Sequence, residues 1–232
     1  HTGFKGIWLY LFLKFLGAKV IGYSLKIKKN DNFNFFKSIK NNVNSIYGDI
    51  LDYKLLKKSL NSFNPEIVFH LAAQSIVITS QKDPENTFDT NVIGTYNLLK
   101  TLNELKSIKS IVIASSDKCY ENNDNKKFFN ENSKLGGSEP YSFSKALTEQ
   151  LVYLFRKNIL KKNTAISTVR AGNVIGGGDF SKYRLIPDII KNYNKKKIIL
   201  RNPKSIRPWQ HVFDVCTAYL LIPIFHYKNK MK

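Results

Sequence analysis

The chain has 232 residues, 43% of them hydrophobic, which is enough for one large α/β domain and excludes a disordered protein. Its two cysteines are too few for a disulfide framework, so we expect the reducing cytoplasm, and the apolar run at residues 7–15 is too short to span a membrane. The formal net charge of +20 is spread over lysines scattered among asparagines, without a groove-reading helix or an RNA-binding signature, so we expect no nucleic-acid partner and no membrane partner.

Short apolar runs typical of buried strands alternate along the chain with segments of helical periodicity. The pattern predicts strands at residues 18–24, 44–48, 66–71, 110–115, 165–170 and 197–201, and helices at 6–16, 53–63, 89–105, 141–160, 183–194 and 214–225. This alternation indicates an α/β fold, a doubly wound parallel sheet of the Rossmann type with helices on both faces. We expect residues 1–172 to form a dinucleotide-binding domain, and residues 173–232 to begin a smaller substrate-binding lobe interleaved with late Rossmann elements.

The chain opens on a glycine-containing segment, from His1 to Gly6, that an apolar helix follows at once. If a glycine precedes His1, Gly3 lets the backbone approach a pyrophosphate and Gly6 lets the helix pack closely on the sheet. Two glycines three residues apart are equally compatible with a plain turn. Because the fold needs a strand before this loop, we expect one ahead of His1 and a further part beyond Lys232, and we expect the 232 residues made alone to be unstable and inactive.

The ends of the predicted strands 18–24 and 44–48 are expected to face the adenosine half of a dinucleotide. An acidic residue is expected at the end of the strand 18–24, about 20 positions after the loop, but Tyr23 and Ser24 occupy the place, so the choice between NAD and NADP stays open. Asp49 follows the predicted strand 44–48. It is compatible with a hydrogen bond to the adenine amino group and, equally, with a turn or a helix cap.

A tyrosine and a lysine four residues apart, Tyr141 and Lys145, share one face of a predicted helix. The ammonium is expected to favour the phenolate and so to lower the pKa of Tyr141. Alone, such a pair is usually a surface pair. Ser116 and Asp117 give it weight, because they follow a predicted strand and the carboxyl ends of parallel strands line the ligand crevice.

Five segments together resemble the extended short-chain dehydrogenase/reductase family and, within it, the CDP-glucose 4,6-dehydratases. They lie in the order expected for that family and span nearly the whole chain: HTGFKG at residues 1–6, FHLAAQ at 69–74, SDKCYE at 116–121, RAGNVIGGGD at 170–179 and RPWQHV at 207–212. Each segment alone is unspecific, whereas the set is highly specific.

The resemblance implies an NAD-dependent dehydration of CDP-glucose to a 4-keto-6-deoxy sugar. Tyr141 takes the proton of the sugar 4-hydroxyl while the C4 hydride passes to NAD⁺, Ser116 hydrogen-bonds the keto oxygen, and Lys145 holds the nicotinamide ribose. Asp117 protonates the departing 6-hydroxyl. Lys118 stands where related TDP-glucose dehydratases carry the presumed C5 base, a glutamate. It could be that base only with a lowered pKa, and it could instead pair with a phosphate or a carboxylate.

The resemblance also implies binding residues. The residues implied for the cofactor are Gly3, Phe4, Gly6, Asp49, Ile50, Leu71, Ala72, Ala73, Gln74, Tyr141 and Lys145. The residues implied for the nucleotide sugar are Asn173, Arg184, Arg201 and Arg207, since a guanidinium donates bidentately to a diphosphate, although each arginine could equally be a surface residue.

Three further expectations concern structure and assembly. Asn91 matches a family position that buttresses the active-site strand. His211 has no second ligand at useful spacing, so we expect no metal. A homodimer, common in the family, would use the predicted helices 89–105 and 141–160.

Two other readings stay open. One keeps the fold and the cofactor but changes the reaction to another dehydration or to 4-epimerisation of a nucleotide sugar. Asp117 favours elimination, because an epimerase needs no acid at C6. The other is a non-catalytic NAD(P)-binding sensor, which the presence of both Tyr141 and Lys145 disfavours.

Overall fold

The computed structural model describes residues 1–27, 43–122, 128–195, 198–200 and 203–230. In chain order, the helices and strands of the described residues are α1 (Phe4–Phe15), β1 (Gly22–Ser24), β2 (Ser45–Tyr47), α2 (Tyr53–Phe63), β3 (Ile67–His70), α3 (Val77–Lys82), α4 (Pro84–Phe88), α5 (Gly94–Glu104), β4 (Ser110–Ala114), α6 (Pro140–Leu154), β5 (Ala165–Val169), β6 (Asn173–Ile175), α7 (Leu185–Asn192), β7 (Trp209–His211) and α8 (Val212–Lys230). Three short turns adjoin them: π-helical Asp89–Ile93 before α5, 3₁₀-helical Asp117–Cys119 after β4 and π-helical Phe155–Ile159 after α6.

Every strand pair among the described residues is parallel. β1 pairs with β2, β4 lies between β3 and β5, and β6 pairs with β7. All five residues of β4 are buried, as expected for an apolar strand covered on both faces.

Two hydrophobic clusters cover the two faces of the central strands. The first joins α2, α5 and α6 to β4 and β5 through Leu99, Leu102, Ile111, Val152 and Ile166, among others. The second joins α1 and α8 to the carboxyl end of β4 through residues that include Phe4, Leu9, Ala114, Val212 and Tyr219. Helices therefore pack on both faces of a parallel sheet, and the predicted doubly wound fold is confirmed.

The predicted elements agree with the structure where the periodicity is long. The helix at 53–63 has the predicted bounds, and five predicted strands contain β1 to β5. The strand predicted at 197–201 is wrong for residues 198–200, which form no strand, and its two end residues lie outside the described part of the chain. The helix predicted from residue 183 begins at Leu185, because Tyr183 has a φ of 65° that no helix accepts.

Both cysteines, Cys119 and Cys216, are buried free thiols. Burial raises the pKa of Cys119 to about 12, so this thiol stays protonated near neutrality. In the described part of the chain, no helix combines the length and the apolar character needed to cross a bilayer.

Candidate active site

The floor of the candidate site is the segment that follows β4. Ser115 N donates to Val169 O at 2.8 Å and Asp117 N donates to Ala171 O at 3.3 Å, so the chain stays beside the end of β5. Ser116 Oγ donates to Asp117 Oδ1 at 3.1 Å and accepts from Lys118 N at 3.2 Å. These bonds fix the hydroxyl and the carboxylate at the carboxyl edge of the sheet, where the sequence predicted them.

Helix α6 brings the predicted tyrosine to this edge. Tyr141 is buried in the first turn, and its side chain lies near enough to that of Ser116 for the two to interact. Burial raises the pKa of Tyr141, although the Ser116 hydroxyl and the charge of Arg184 act to lower it. The expectation that Lys145 lowers the pKa of Tyr141 is therefore wrong for this structure, because the loss of hydration outweighs the nearby favourable contacts.

The predicted lysine of the same helix is also buried. Lys145 Nζ donates to Ala114 O, the last residue of β4, at 3.1 Å. Burial, followed by the charge of Lys5, lowers the pKa of Lys145 to about 8. The ammonium thus lies against the end of the central strand, directly below the segment that carries Ser116.

Lys118 has the lowered pKa that the sequence analysis required if this residue is to act as the C5 base. Burial lowers the pKa of Lys118, the charge of Arg207 lowers it further, and the carboxylates of Glu139 and Asp117 oppose both effects. A lowered pKa leaves a larger neutral fraction near neutrality, which is the form that accepts a proton.

Lys5 belongs to the site although sequence reasoning missed it. Its Nζ lies 5.9 Å from the ring centroid of Tyr219, and burial followed by the charge of Arg184 lowers the pKa of Lys5 to about 8. Its charge also acts on Lys145 and Asp117, so the first loop of the chain lies beside the predicted catalytic groups. A lysine among the apolar residues that begin α1 was a signal that could have been used.

The loop before α1 has room for an anionic group. Gly3 is the N-cap of α1, no side chain of the described residues caps the helix, and a Cβ added to Gly3 would meet none of their atoms within 4 Å. Free N–H groups and the helix dipole at such an end favour a phosphate. A Cβ on Gly6 would lie 2.9 Å from His1 Cα, so Gly6 admits the loop backbone, whereas we expected it to admit the sheet. The Phe4 side chain is buried in the second cluster.

On the adenosine side, Tyr23 and Asp49 contact each other. Tyr23 Oη donates to Asp49 O at 2.8 Å, and Asp49 Oδ1 accepts from Leu51 N at 2.9 Å. Asp49 therefore has the turn role that the sequence left open, while a contact with adenine stays a prediction. Ile50 lies in the first cluster and fills the space above Gly94, where a Cβ would come within 2.5 Å of Ile50 Cγ2.

The segment after β3 is held by one buried amide. Asn91 Oδ1 accepts from Gln74 N at 2.9 Å, and Asn91 Nδ2 donates to Gln74 O at 3.0 Å and to Ser144 Oγ at 2.9 Å. The structural role expected for Asn91 is confirmed, since it joins this segment to α6. Leu71 packs on the second cluster, and Ala72 is exposed while Ala73 is half-buried.

The predicted substrate residues lie on the segments after β5. Arg184 pairs with Asp179 Oδ2 at 3.0 Å and donates to Ser75 Oγ at 3.3 Å, and its charge reaches Tyr141. Arg207 is exposed, with its charge acting on Lys118. Asn173 begins β6, where its N–H donates to Pro208 O at 2.9 Å. Arg201 lies outside the described residues.

His211 is exposed at the end of β7, and its Nδ1 accepts from Phe213 N at 3.3 Å. Within the described ranges, no group of three or more His, Cys, Asp or Glu side chains could hold a metal ion.

Comparison with known proteins places this arrangement in a family. The chain is 43% identical over 229 residues to the CDP-glucose 4,6-dehydratase of Salmonella typhimurium, which is 96% of this chain but 64% of that protein. It is 28% identical to the UDP-glucose 4-epimerase of Mycoplasma genitalium, covering 95% of this chain and 68% of that one. The crystal structure of dTDP-glucose 4,6-dehydratase from Bacillus anthracis in complex with NAD matches with a TM-score of 0.80 and 26% identity, over 95% of this chain and 68% of that one.

The chain thus spans less than two thirds of the length of the Salmonella typhimurium protein. The sequence model described as GDP-mannose 4,6 dehydratase matches residues 1–227. The match covers nearly the whole chain and includes every predicted catalytic residue, so the chain belongs to the GDP-mannose 4,6 dehydratase family.

Proposed function

We propose that this chain carries the catalytic centre of an NAD-dependent nucleotide-sugar 4,6-dehydratase whose substrate is CDP-glucose. The observation that carries the proposal is the convergence of a phenol, a hydroxyl and a carboxyl group. Tyr141 lies beside Ser116, and Ser116 Oγ donates to Asp117 Oδ1, at the carboxyl edge of β4. A 4,6-dehydration needs a base at O4, a hydrogen-bond donor to the 4-keto oxygen and an acid at O6, and these three groups can supply them.

Each group has one task. Tyr141 Oη removes the proton from the 4-hydroxyl, and Ser116 Oγ donates a hydrogen bond to the keto oxygen that forms there. The ketone acidifies the C5 proton, which the neutral amine of Lys118 accepts. Asp117 donates its proton to the 6-hydroxyl, which leaves as water. Bound NAD⁺ would supply a hydride acceptor for C4 and, once reduced, the hydride donor for C6, and the Lys118 ammonium returns its proton to C5. The lowered pKa of Lys118 supports its part.

The residues of the cofactor side fit a dinucleotide. The open N-terminus of α1 at Gly3 would hold the pyrophosphate, and Ala72 and Ala73 leave room for backbone contact beside it. Lys145 would hold the nicotinamide ribose, since its ammonium lies at the end of β4. Asp49 remains the candidate for the adenine.

The substrate side would bind the diphosphate of the nucleotide sugar. Arg184 is oriented by Asp179 and lies near enough to Tyr141 for its charge to act there. Arg207 and Asn173 complete the described part of this side, and Arg201 is carried as part of the same proposal. In this view residues 1–172 bind the dinucleotide, and residues 173–232 begin the substrate-binding lobe.

We also propose a homodimer through α5 and α6 with their adjoining turns. Among the described residues, this surface exposes large apolar side chains that water would otherwise solvate: Ile93, Tyr96, Phe143, Tyr153 and Leu154. Such a patch is typical of an interface between protein chains. Sedimentation equilibrium of the full-length protein and of a Tyr96→Asp variant tests it, with a dimer expected for the first and a monomer for the second.

Epimerisation is the second candidate, because the chain also resembles a UDP-glucose 4-epimerase. The experiment incubates the full-length protein and NAD⁺ separately with CDP-glucose, dTDP-glucose and UDP-glucose, and follows the absorbance of 4-keto sugars in alkali. Of the three nucleotide sugars, we expect CDP-glucose to give the 4-keto product at the highest rate. Conversion of UDP-glucose to its C4 epimer without a 4-keto product would overturn the proposal in favour of the epimerase. Binding of NAD without turnover of any sugar would favour the sensor.

A further inference from the structure

The first turn of the catalytic helix is held by a carboxylate to which no role has been given so far. Glu139 is the N-cap of α6. Its Oε2 accepts from Tyr141 N at 2.8 Å, its Oε1 accepts from Ser142 N at 2.9 Å, and the Ser142 hydroxyl also donates to Oε1. One carboxylate thus accepts hydrogen bonds from three donors, which belong to Tyr141, the proposed base, and to the residue that follows it.

This cap is anchored from a distant part of the chain. Ser80 of α3 is completely buried, and its Oγ lies 3.1 Å from Glu139 Oε2. The same Oγ accepts from Tyr141 N at 3.1 Å. The backbone N–H of Tyr141 is therefore shared between a local carboxylate and a hydroxyl from another helix. Ser80 Oγ also donates to Val77 O at 2.7 Å, which holds the hydroxyl in place on α3.

The cap also places a negative charge beside two reacting groups. The charged or titratable groups that act on Tyr141 are Asp117, Glu139 and Arg184, with Tyr219 also coupled to it. Those that act on Lys118 are Arg207, Glu139 and Asp117. Glu139 is common to both sets, where it raises the pKa of Tyr141 and raises the pKa of Lys118.

We propose that Glu139 is a positioning residue of the catalytic centre: by capping α6 it holds the first turn of that helix, and with it the Tyr141 phenol, beside Ser116. This inference rests on the dehydratase function proposed above. It assigns to the cap a part in the reaction in addition to its part in the stability of α6.

The experiment compares three variants of the full-length protein with the wild type. Glu139→Gln removes the charge but keeps one side-chain oxygen as acceptor, Glu139→Ala removes both, and Ser80→Ala removes the distant anchor but keeps the charge. Glu85→Gln, on the exposed first turn of α4, is the matched control for loss of one carboxylate.

We expect Glu139→Gln to move the acidic limb of the kcat profile to lower pH. Without the carboxylate, the phenol of Tyr141 ionises more easily and the Lys118 ammonium loses its proton more easily, so both shifts have the same sign. Glu139→Ala should in addition lower kcat by about 10- to 100-fold, with the KM for CDP-glucose little changed, because the phenol is misplaced. Ser80→Ala should lower kcat less and leave the limb in place.

If the acidic limb of the kcat profile stays in place in Glu139→Gln and kcat equals that of Glu85→Gln, the inference is overturned. Glu139 would then be a purely structural cap of α6. Ultraviolet titration of the phenolate, taken as the difference from Tyr141→Phe in each background, gives a readout that needs no turnover. If the wild type has no dehydratase activity but this titration shifts downward in Glu139→Gln, the proposed function fails while the action of Glu139 on Tyr141 stands. If the Gln and Ala variants do not fold, Ser80→Ala decides: unchanged kcat would overturn the positioning role.

Discussion

The two sides of the candidate site differ in how they are packed. The side proposed for catalysis lies at β4 and α6, where Ser116, Tyr141 and Lys145 are buried. On the substrate side, none of the residues of α7 is buried, and β7 is exposed along its whole length. A side chain that moves a proton has to be held more closely than one that attracts a diphosphate by charge. The burial of one side and the exposure of the other agree with this difference in requirement.

The largest expected effect breaks the catalytic side alone. Tyr141→Phe keeps the ring in its buried position but removes the hydroxyl proposed as the base at O4. We expect kcat to fall by about 10²- to 10⁴-fold, the range for a lost acid–base group, with thermal stability nearly unchanged. Initial rates with CDP-glucose measure it. Tyr227→Phe, on the exposed face of α8, is the control, and a Tyr141→Phe variant that keeps more than a tenth of wild-type kcat would contradict the proposal.

The sequence predicted this side well, for physical reasons. β4 is a continuous apolar run, and the four-residue spacing of Tyr141 and Lys145 places both on one helix face whatever the tertiary structure. Short elements were missed: β6 and β7 have three residues each, and α3 and α4 have six and five. β1 and β2 are as short as β6 and β7, but each lies inside a longer run that the sequence predicted as a strand.

Tertiary effects were out of reach. The reversed direction of the pKa shift of Tyr141 comes from burial, which no local pattern measures. The approach of Lys5 to Lys145, the anchoring of Glu139 by Ser80 and the packing of Gly6 on His1 each join segments or faces whose contact depends on the finished fold.

The second prediction compares the packing of the two sides directly. Leu99 is 0% exposed in the first hydrophobic cluster, whereas Ile190 of α7 is 64% exposed. We expect Leu99→Ala to lower the free energy of unfolding by about 2–5 kcal/mol, since it leaves a cavity. Ile190→Ala should change it by less than about 0.5 kcal/mol. Urea unfolding measures both, and equal losses would show that the substrate side is packed as tightly as the catalytic side.

The third prediction tests the charge of the substrate side. Arg207→Met removes an exposed guanidinium, so we expect the KM for CDP-glucose to rise by about tenfold, a loss of about 1.4 kcal/mol, with little change in melting temperature. Because Arg207 lowers the pKa of Lys118, its removal should raise that pKa and move the acidic limb of the kcat profile to higher pH. This shift is opposite in sign to the one expected for Glu139→Gln. Lys204→Met, an exposed neighbour, is the control, and a limb that stays in place would argue against Lys118 as the C5 base.

The smallest effect concerns stability and pH on the catalytic side. His70 ends β3, with its Nε2 at 2.9 Å from Thr95 Oγ1, and burial, followed by the charge of Lys145, lowers the pKa of His70 to about 3. The folded protein therefore keeps His70 neutral, while the unfolded chain binds a proton below about pH 6.5. Stability must then fall as the pH drops from about 6.5 toward 3, by about 1.4 kcal/mol between roughly pH 7.5 and 5.5.

Urea unfolding at both pH values should show this loss in the wild type and in His211→Asn, made on the exposed β7, but not in His70→Asn. Subtracting one variant from the other cancels the carboxylates that titrate over the same range, so the difference isolates one imidazole. If the free energy of unfolding of His70→Asn fell with pH as steeply as that of the wild type, the His70 imidazole would have to be hydrated and to titrate in the folded protein much as it does in the unfolded chain. The end of β3 next to Lys145 would then be less tightly packed than the burial of His70 indicates.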